Sequence, residues 1–157
     1  MGKIDIRQVN VRRGTGYPAP YDQPCRERFR EQLGDAAGLT QFGVNRLQLP
    51  PGTWSAQRHW HAAEDEFIYV LEGEVVLVTN AGEQLLRAGD AAGFAAGVAD
   101  GHHLQNRSQA QAVVLEVGSR CPAEEAVDYP DIDLQLRRGE QHYVHKDGRP
   151  YPAPGKS

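Results

Sequence analysis

Between residues 40 and 118 the sequence alternates short apolar segments with turn-forming residues. Seven segments have the length and character of β-strands: Gln41–Leu49, Trp54–His61, Glu66–Leu71, Glu74–Thr79, Glu83–Arg87, His102–Arg107 and Ala112–Val117. Turn formers separate them, among them Pro50-Pro51-Gly52 and Asn80-Ala81-Gly82. Several short strands at this spacing predict an antiparallel sandwich or barrel rather than an α/β fold.

This strand-rich segment divides the chain into three zones. They are an N-terminal arm (residues 1–39), a barrel (residues 40–118) and a C-terminal tail that packs on the barrel (residues 119–157). In the arm we expect an edge strand over residues 4–11 and a short helix that Asp22 caps and Gly34 stops. Phe29 and Leu33 are four residues apart and would share the buried face of that helix.

The composition argues against several classes of protein. With 157 residues, 39% of them hydrophobic, the chain has the material for one core. No apolar run is long enough to span a membrane, and charged residues stand where a signal peptide needs apolar ones, so we expect no membrane partner and a cytoplasmic location. The net charge of −4 and the presence of only three lysines, all near the termini, argue against a nucleic-acid partner.

The two cysteines, Cys25 and Cys121, are far apart in the sequence. Their separation matches neither a metal-binding nor a redox motif. In a cytoplasmic chain we therefore expect two reduced thiols, although the sequence alone leaves a disulfide open.

A group of histidines and acidic residues indicates metal binding. His59 and His61 are two residues apart on a predicted strand, so both side chains leave the same face. Glu66 begins the next predicted strand, and an antiparallel return would bring its carboxylate beside the two imidazoles. His102, on a later strand, can supply a third nitrogen. Three neutral nitrogens and one anionic oxygen suit one divalent transition metal: Fe, Mn, Ni, Zn or Cu.

The joint spacing of these residues with glycines resembles the cupin superfamily. The first motif of that family begins with a Gly, which a spacer of about five residues separates from His-x-His. A Glu follows after three or four residues, and a second Gly follows after six more. The chain has Gly52, His59-Trp60-His61, Glu66 and Gly73 at these positions. The second motif begins with a Gly, which five residues separate from Pro-x-Gly. A His follows after a short spacer, and an Asn follows after three more residues. The chain has Gly89, Ala95-Ala96-Gly97, His102 and Asn106 at these positions. Two spacers are longer than in the family, and Ala95 replaces the motif proline, but none of the ligand positions is lost.

The resemblance implies an all-β fold, the antiparallel double-stranded β-helix (jelly roll, or cupin barrel), with N- and C-terminal arms. It implies that His59, His61, Glu66 and His102 hold the metal. The register selects Glu66 over Glu64 and Asp65, because six residues separate it from Gly73. It selects His102 over His103 because three residues separate His102 from Asn106. His142 and His145 have no motif support and are expected to be structural or at the surface.

Four protein ligands leave one or two positions of the metal open, which favours chemistry on a small molecule over a purely structural role. Small cupins of this kind are similar to sugar-phosphate isomerases. Dioxygenase, decarboxylase and lyase chemistry use the same ligand set, and a non-catalytic binding or sensor module is the alternative. The phosphate-specific version has thin support, because the barrel zone contains no lysine and few arginines: Arg46, Arg58, Arg87 and Arg107.

Strand parity also suggests pocket residues. Gln57 shares the face of His59 and His61, while Ile68 and Val70 share the face of Glu66. We expect these to line the substrate pocket, with Asn45 or Arg46 reaching it from the preceding strand. Aromatic side chains are expected in the core or in a dimer contact: Trp54, Phe67, Tyr69 and Phe94. Because cupins commonly pair by exchanging an N-terminal strand, residues 4–13 are expected to join two chains in a homodimer.

Overall fold

The computed structural model describes residues 2–152. Within them it contains thirteen β-strands and one α-helical turn, α1, at Leu33–Ala36. The strands are β1 Val11–Arg13, β2 Phe29–Gln32, β3 Phe42–Leu49, β4 Trp60–His61, β5 Glu66–Glu72, β6 Glu74–Thr79, β7 Gly82–Arg87, β8 Ala91–Phe94, β9 His103–Gln105, β10 Ala112–Ser119, β11 Val127–Tyr129, β12 Leu134–Leu136 and β13 Tyr143–Val144. No helix in this part of the chain is long and apolar enough to cross a bilayer.

The strands form three antiparallel sheets. The six-stranded sheet has the order β1-β2-β3-β10-β5-β8, the four-stranded sheet β13-β12-β11-β4, and the three-stranded sheet β7-β6-β9. Strand pairing between elements far apart in sequence, such as β3 with β10, is typical of a jelly roll rather than of consecutive hairpins. The expected all-β double-stranded β-helix is confirmed.

The hydrophobic core lies between the sheets and follows the alternation of the strands. On β5, Ile68 and Val70 are buried, whereas Phe67, Tyr69 and Leu71 point away from the core and are exposed. This period of two is what a strand buried on one face requires. The same core contains Leu47 and Leu49 of β3 together with apolar residues of the three-stranded sheet.

The N-terminal arm differs from the sequence prediction. Residues Ile6–Gln8 form a short 3-10 helix, and the edge strand begins only at Val11. The predicted helix between Asp22 and Gly34 is wrong: a 3-10 turn at Gln23–Cys25 is followed by β2. Strand β2 pairs with the open edge of β3, and this long-range pairing outweighs the local helical spacing.

The barrel segments agree better with the prediction, with two exceptions. The predicted strand over residues 54–61 is a strand only at Trp60–His61, and an isolated bridge joins His59 to His102. Strand β8 was not predicted at all, since its Ala-Ala-Gly sequence carries little β propensity. The C-terminal zone crosses the barrel as β11, β12 and β13, and its last residues, 153–157, lie outside the described residues.

Candidate metal centre

Four side chains meet in the barrel interior around the Glu66 carboxylate. Glu66 Oε2 lies 3.2 Å from His102 Nε2, 3.4 Å from His61 Nε2 and 3.8 Å from His59 Nε2. The Nε2 atoms of His59 and His61 are 3.1 Å apart. The structure therefore brings together all four side chains that the sequence motifs single out.

The route by which Glu66 arrives differs from the expected one. Strand β5 is not paired with the histidine strand; its neighbours are β10 and β8, while β4 pairs with β11. Glu66 thus meets the histidines across the barrel interior rather than from an adjacent strand. His102 is the real neighbour of His59, since the two exchange backbone hydrogen bonds of 2.8 and 3.2 Å.

Two imidazoles are oriented through their second ring nitrogen. His59 Nδ1 lies 2.8 Å from the Gln57 carbonyl oxygen, and His61 Nδ1 lies 3.0 Å from Glu125 Oε1. Glu125 is itself held, because its Oε2 accepts a hydrogen bond from the Ala63 backbone. An Nδ1–H donated to these oxygens leaves the Nε2 lone pair directed at the cluster, the arrangement that metal-ligating histidines use.

Aromatic rings fix the imidazoles from the side. The Phe94 ring stacks on His102 with centroids 3.6 Å apart, and the Tyr129 ring stacks on His59 at 5.7 Å. Phe94 packs against the core, as expected, and also borders the cavity above the cluster. Tyr129 and Glu125 both come from the C-terminal tail, where no motif marks them.

The electrostatics of the cluster favour a form that can bind a cation. Burial lowers the pKa of His59 to about 3, so this imidazole is neutral at neutral pH. Burial would raise the pKa of Glu66, but its hydrogen bonds with His102 and His61 hold that pKa well below its usual range. Burial also acts against protonation of His61, yet its contacts with Glu66 and Glu125 prevail and raise its pKa.

The separations around Glu66 suit one ion. Two atoms bound to the same metal at about 2.1 Å lie about 3 to 3.5 Å from each other. Glu66 Oε2 lies 3.2–3.8 Å from the three Nε2 atoms, and the Nε2 atoms of His59 and His61 are 3.1 Å apart. His59, His61 and Glu66 form a group that can hold a metal ion, and His102 is in contact with the same carboxylate oxygen. Nitrogen donors with one carboxylate suit divalent iron, manganese, nickel, zinc or copper.

A second acidic group adjoins the first. His61, Glu64 and Glu125 also lie close enough to hold an ion. Backbone amides already donate to both carboxylates: Cys121 to Glu64 at 2.7 Å and Ala63 to Glu125 at 3.1 Å. His61 directs Nε2 to Glu66 and Nδ1 to Glu125, so this group is best explained as the support of His61.

The cluster opens onto a cavity of about 350 Å³. Of the predicted pocket residues, Ile68 lines this cavity; Val70 is fully buried in the core, and the Gln57 amide donates to the Tyr21 carbonyl oxygen. Asn45 also lines it, whereas Arg46 pairs with Glu31.

Sequence reasoning missed the contribution of the arm to this cavity. Arg12, Arg28 and Arg30 all line it, although they lie outside the barrel segment. Only the pairing of β1 and β2 onto β3 brings them there. Arginines in an arm with no cupin motif carry no signal that would have placed them in the cavity.

The comparisons with known proteins agree with this fold. The family model described as "Cupin domain" matches residues 45–118, and the chain belongs to the cupin superfamily. No curated protein sequence matches the chain significantly.

Solved structures resemble the chain over most of its length. It is 40% identical to a sugar phosphate isomerase of the cupin superfamily from Silicibacter pomeroyi, with a TM-score of 0.89 over 97% of this chain and 98% of that one. It is 31% identical to a candidate sugar phosphate isomerase from Acidithiobacillus ferrooxidans, with a TM-score of 0.71 over 82% of each chain. A predicted oxalate decarboxylase from Thermotoga maritima, 23% identical over 76% of this chain and all of its own (100%), has a TM-score of 0.59 and shares the fold.

Proposed function

We propose that the protein is a metal-dependent isomerase that acts on a small polar metabolite of the aldose–ketose class. The observation that carries the proposal is the convergence of His59, His61, His102 and Glu66 at an open cavity. Four protein ligands leave one or two metal positions for the substrate. The 40% identity with a sugar phosphate isomerase over nearly the whole chain supports this reaction class over the others that use the same ligand set.

The roles of the side chains follow from the geometry. His59, His61, His102 and Glu66 would hold the metal, and Gln57, Glu125, Tyr129 and Phe94 keep the imidazoles in place. When bound, a divalent metal supplies a Lewis acid that polarises a carbonyl and an adjacent hydroxyl.

Isomerisation also requires a base that moves a proton between neighbouring carbons, within hydrogen-bond reach of the substrate. Carboxylates that line the cavity without being proposed ligands are available for this transfer: Glu64 and Asp65.

The experiment combines metal analysis with a chemical readout. The purified protein is loaded with each candidate metal and incubated in D2O with a panel of aldose and ketose phosphates and their unphosphorylated sugars. NMR then follows deuterium incorporation at carbons 1 and 2 and the appearance of the isomer. Isomerisation by the wild type and its loss in Glu66→Ala support the proposal.

Other outcomes replace it with a specific alternative. Oxygen consumption indicates a dioxygenase, carbon dioxide release indicates a decarboxylase, and saturable binding without turnover indicates a sensor module. The polar cavity wall with its arginines favours a charged, hydrophilic substrate over the apolar substrates that many oxygenases bind.

Two further expectations are part of the proposal. A cytoplasmic location follows from the sequence argument, and a homodimer follows from the family resemblance. In the structure, β1, which lies in the segment 4–13, pairs with β2 of the same chain. In an exchanged dimer, β1 of each chain would pair with β2 of the other chain instead. Light scattering in solution tests the dimer, and a monomer mass would reject it.

A further inference from the structure

Three arginines of the arm share the inward face of the six-stranded sheet. Arg12 on β1 is directly opposite Arg30 on β2, and Arg30 is opposite Leu47, which is fully buried in the core. Arg28 lies two residues before Arg30 and so leaves the chain on the same side. Glu31, on the other face, pairs with Arg46. The arm therefore presents its positive charge to the cavity.

Within residues 2–152, only Arg30 of these three arginines has its charge balanced by an ion pair. The Arg30 guanidinium pairs with Glu116, with Nε 2.8 Å from Oε2 and Nη2 2.9 Å from Oε1. The negative charge of Glu66, a proposed metal ligand, also attracts the Arg30 guanidinium. Arg30 and Glu116 together form a neutral pair in the cavity wall.

Arg28 has no such partner. Its side chain is only 5% exposed, and its Nε donates to the Gly14 carbonyl oxygen at 3.0 Å. Its terminal nitrogens form neither a hydrogen bond nor an ion pair with residues 2–152. Burial and the neighbouring Arg30 guanidinium lower the pKa of Arg28. Because Arg28 lines the cavity, these nitrogens are free to donate to an anion that enters it.

Arg12 adds to this excess at the cavity rim. It is exposed, lines the cavity and forms no ion pair within the described part of the chain. It lies opposite Arg30, whose charge Glu116 balances, so the charge of Arg12 adds to that of Arg28. The part of the cavity that Arg12 and Arg28 line therefore carries an excess of positive charge.

This positive region is within reach of a molecule bound at the metal cluster. The positive charge of Arg28 acts on the hydroxyl of Tyr17. The Tyr17 ring contacts the Tyr129 ring with centroids 5.6 Å apart, and the Tyr129 ring stacks on His59. All of these side chains border the same cavity. The metal ligands and the arginines therefore line one continuous cavity.

We propose that Arg28, assisted by Arg12, binds the anionic group of the substrate, and that this group is a phosphate monoester. The assignment to a substrate rests on the proposed function, whereas anion binding by Arg28 does not. Arginine recognises phosphate and carboxylate through the same pairs of N–H donors. Two unbalanced guanidinium groups match the nearly double negative charge of a phosphate better than the single charge of a carboxylate.

The test measures binding of inorganic phosphate and of acetate by titration calorimetry, with the protein as purified and again after removal of metal by chelation. The variants are Arg28→Gln and Arg12→Gln. The control is Arg107→Gln, because Arg107 pairs with Glu83 at the surface, away from the cavity. We expect saturable phosphate binding that persists without metal, at least about 10-fold weaker in Arg28→Gln and unchanged in Arg107→Gln.

Several outcomes overturn the proposal. Absence of phosphate binding to the wild type, equal binding by Arg28→Gln, or a preference for acetate each rejects it. If Arg28→Gln does not fold, Arg28→Lys and Arg12→Gln decide the question. We expect Arg28→Lys, which keeps the charge, to retain phosphate binding and Arg12→Gln to weaken it. Loss of binding in Arg28→Lys together with unchanged binding in Arg12→Gln rejects the site. Phosphate binding without isomerisation would reject only the proposed reaction, and isomerisation with an unchanged KM in Arg28→Gln would reject only the anion site.

Discussion

Glu125 Oε1 lies 3.0 Å from His61 Nδ1, although the two residues are 64 positions apart in the sequence. The C-terminal tail thereby reaches the cluster that the barrel motifs build. A carboxylate in this position fixes the tautomer of the imidazole and increases its basicity as a ligand. The tail is therefore a working part of the site as well as a cover for the barrel.

Replacing Glu125 by Gln should weaken metal binding by about 10- to 100-fold, the usual effect of losing a carboxylate behind a ligating histidine. The amide retains an oxygen for the Ala63 backbone but loses the negative charge. Competition with a fluorescent chelator measures the affinity. Glu124→Gln is the matched control, since Glu124 is exposed and pairs with Arg138. Equal affinities in the two variants would contradict the role of Glu125.

Combined replacement of His59 and His61 by Ala should reduce bound metal from about one ion per chain to nearly none, because two of four donors are lost. Elemental analysis of the purified variant gives the stoichiometry. His142→Ala with His145→Ala is the control: neither side chain borders the cavity, and His145 instead contacts Asp133 at 2.7 Å. A control that loses its metal would show that the ligands are misassigned.

Metal content should fall as the pH falls. An imidazole binds metal only when its Nε2 is free of a proton, so protons and metal compete. Contacts with Glu66 and Glu125 raise the pKa of His61, so His61 takes up a proton first. Burial lowers the pKa of His59 to about 3, so His59 stays neutral. Release should begin as the pH falls through the histidine range. Equal metal content at pH 5 and pH 8 would be inconsistent with the assignment.

The two thiols should differ in reactivity. Both cysteines are free; Cys25 is fully buried, and burial raises its pKa to about 11, whereas Cys121 is partly exposed. A raised pKa means less thiolate at pH 8, and the thiolate is the reactive form. A thiol reagent should therefore modify one cysteine per native chain and two after unfolding. Rapid modification of Cys121→Ser would show that Cys25 is accessible.

The motif residues were predictable because local geometry determines them. A spacing of two places His59 and His61 on one face wherever the strand lies. Gly73 is required by its positive φ of 73° and by a close approach, since a Cβ there would lie 2.7 Å from the Gln111 carbonyl oxygen. The buried Asn106 amide donates to the carbonyl oxygens of Leu49 and Ala110 at 2.7 Å each. Such positions leave a signature in the sequence.

The residues that the sequence did not predict depend on long-range contacts. Arg28 enters the cavity only because β2 pairs with β3, and the helical spacing of Phe29 and Leu33 pointed to a different structure. Tyr129 and Glu125 reach the histidines through the pairing of β11 with β4. No short spacing encodes these contacts, so they became visible only in the folded chain.

An anomalous diffraction experiment at the absorption edge of the metal found in the purified protein tests the central claim most directly. We expect one strong peak per chain, within bonding distance of the Nε2 atoms of His59, His61 and His102 and of the Glu66 carboxylate. A metal-free map at this point after metal loading, or a peak located elsewhere in the chain, would contradict the account.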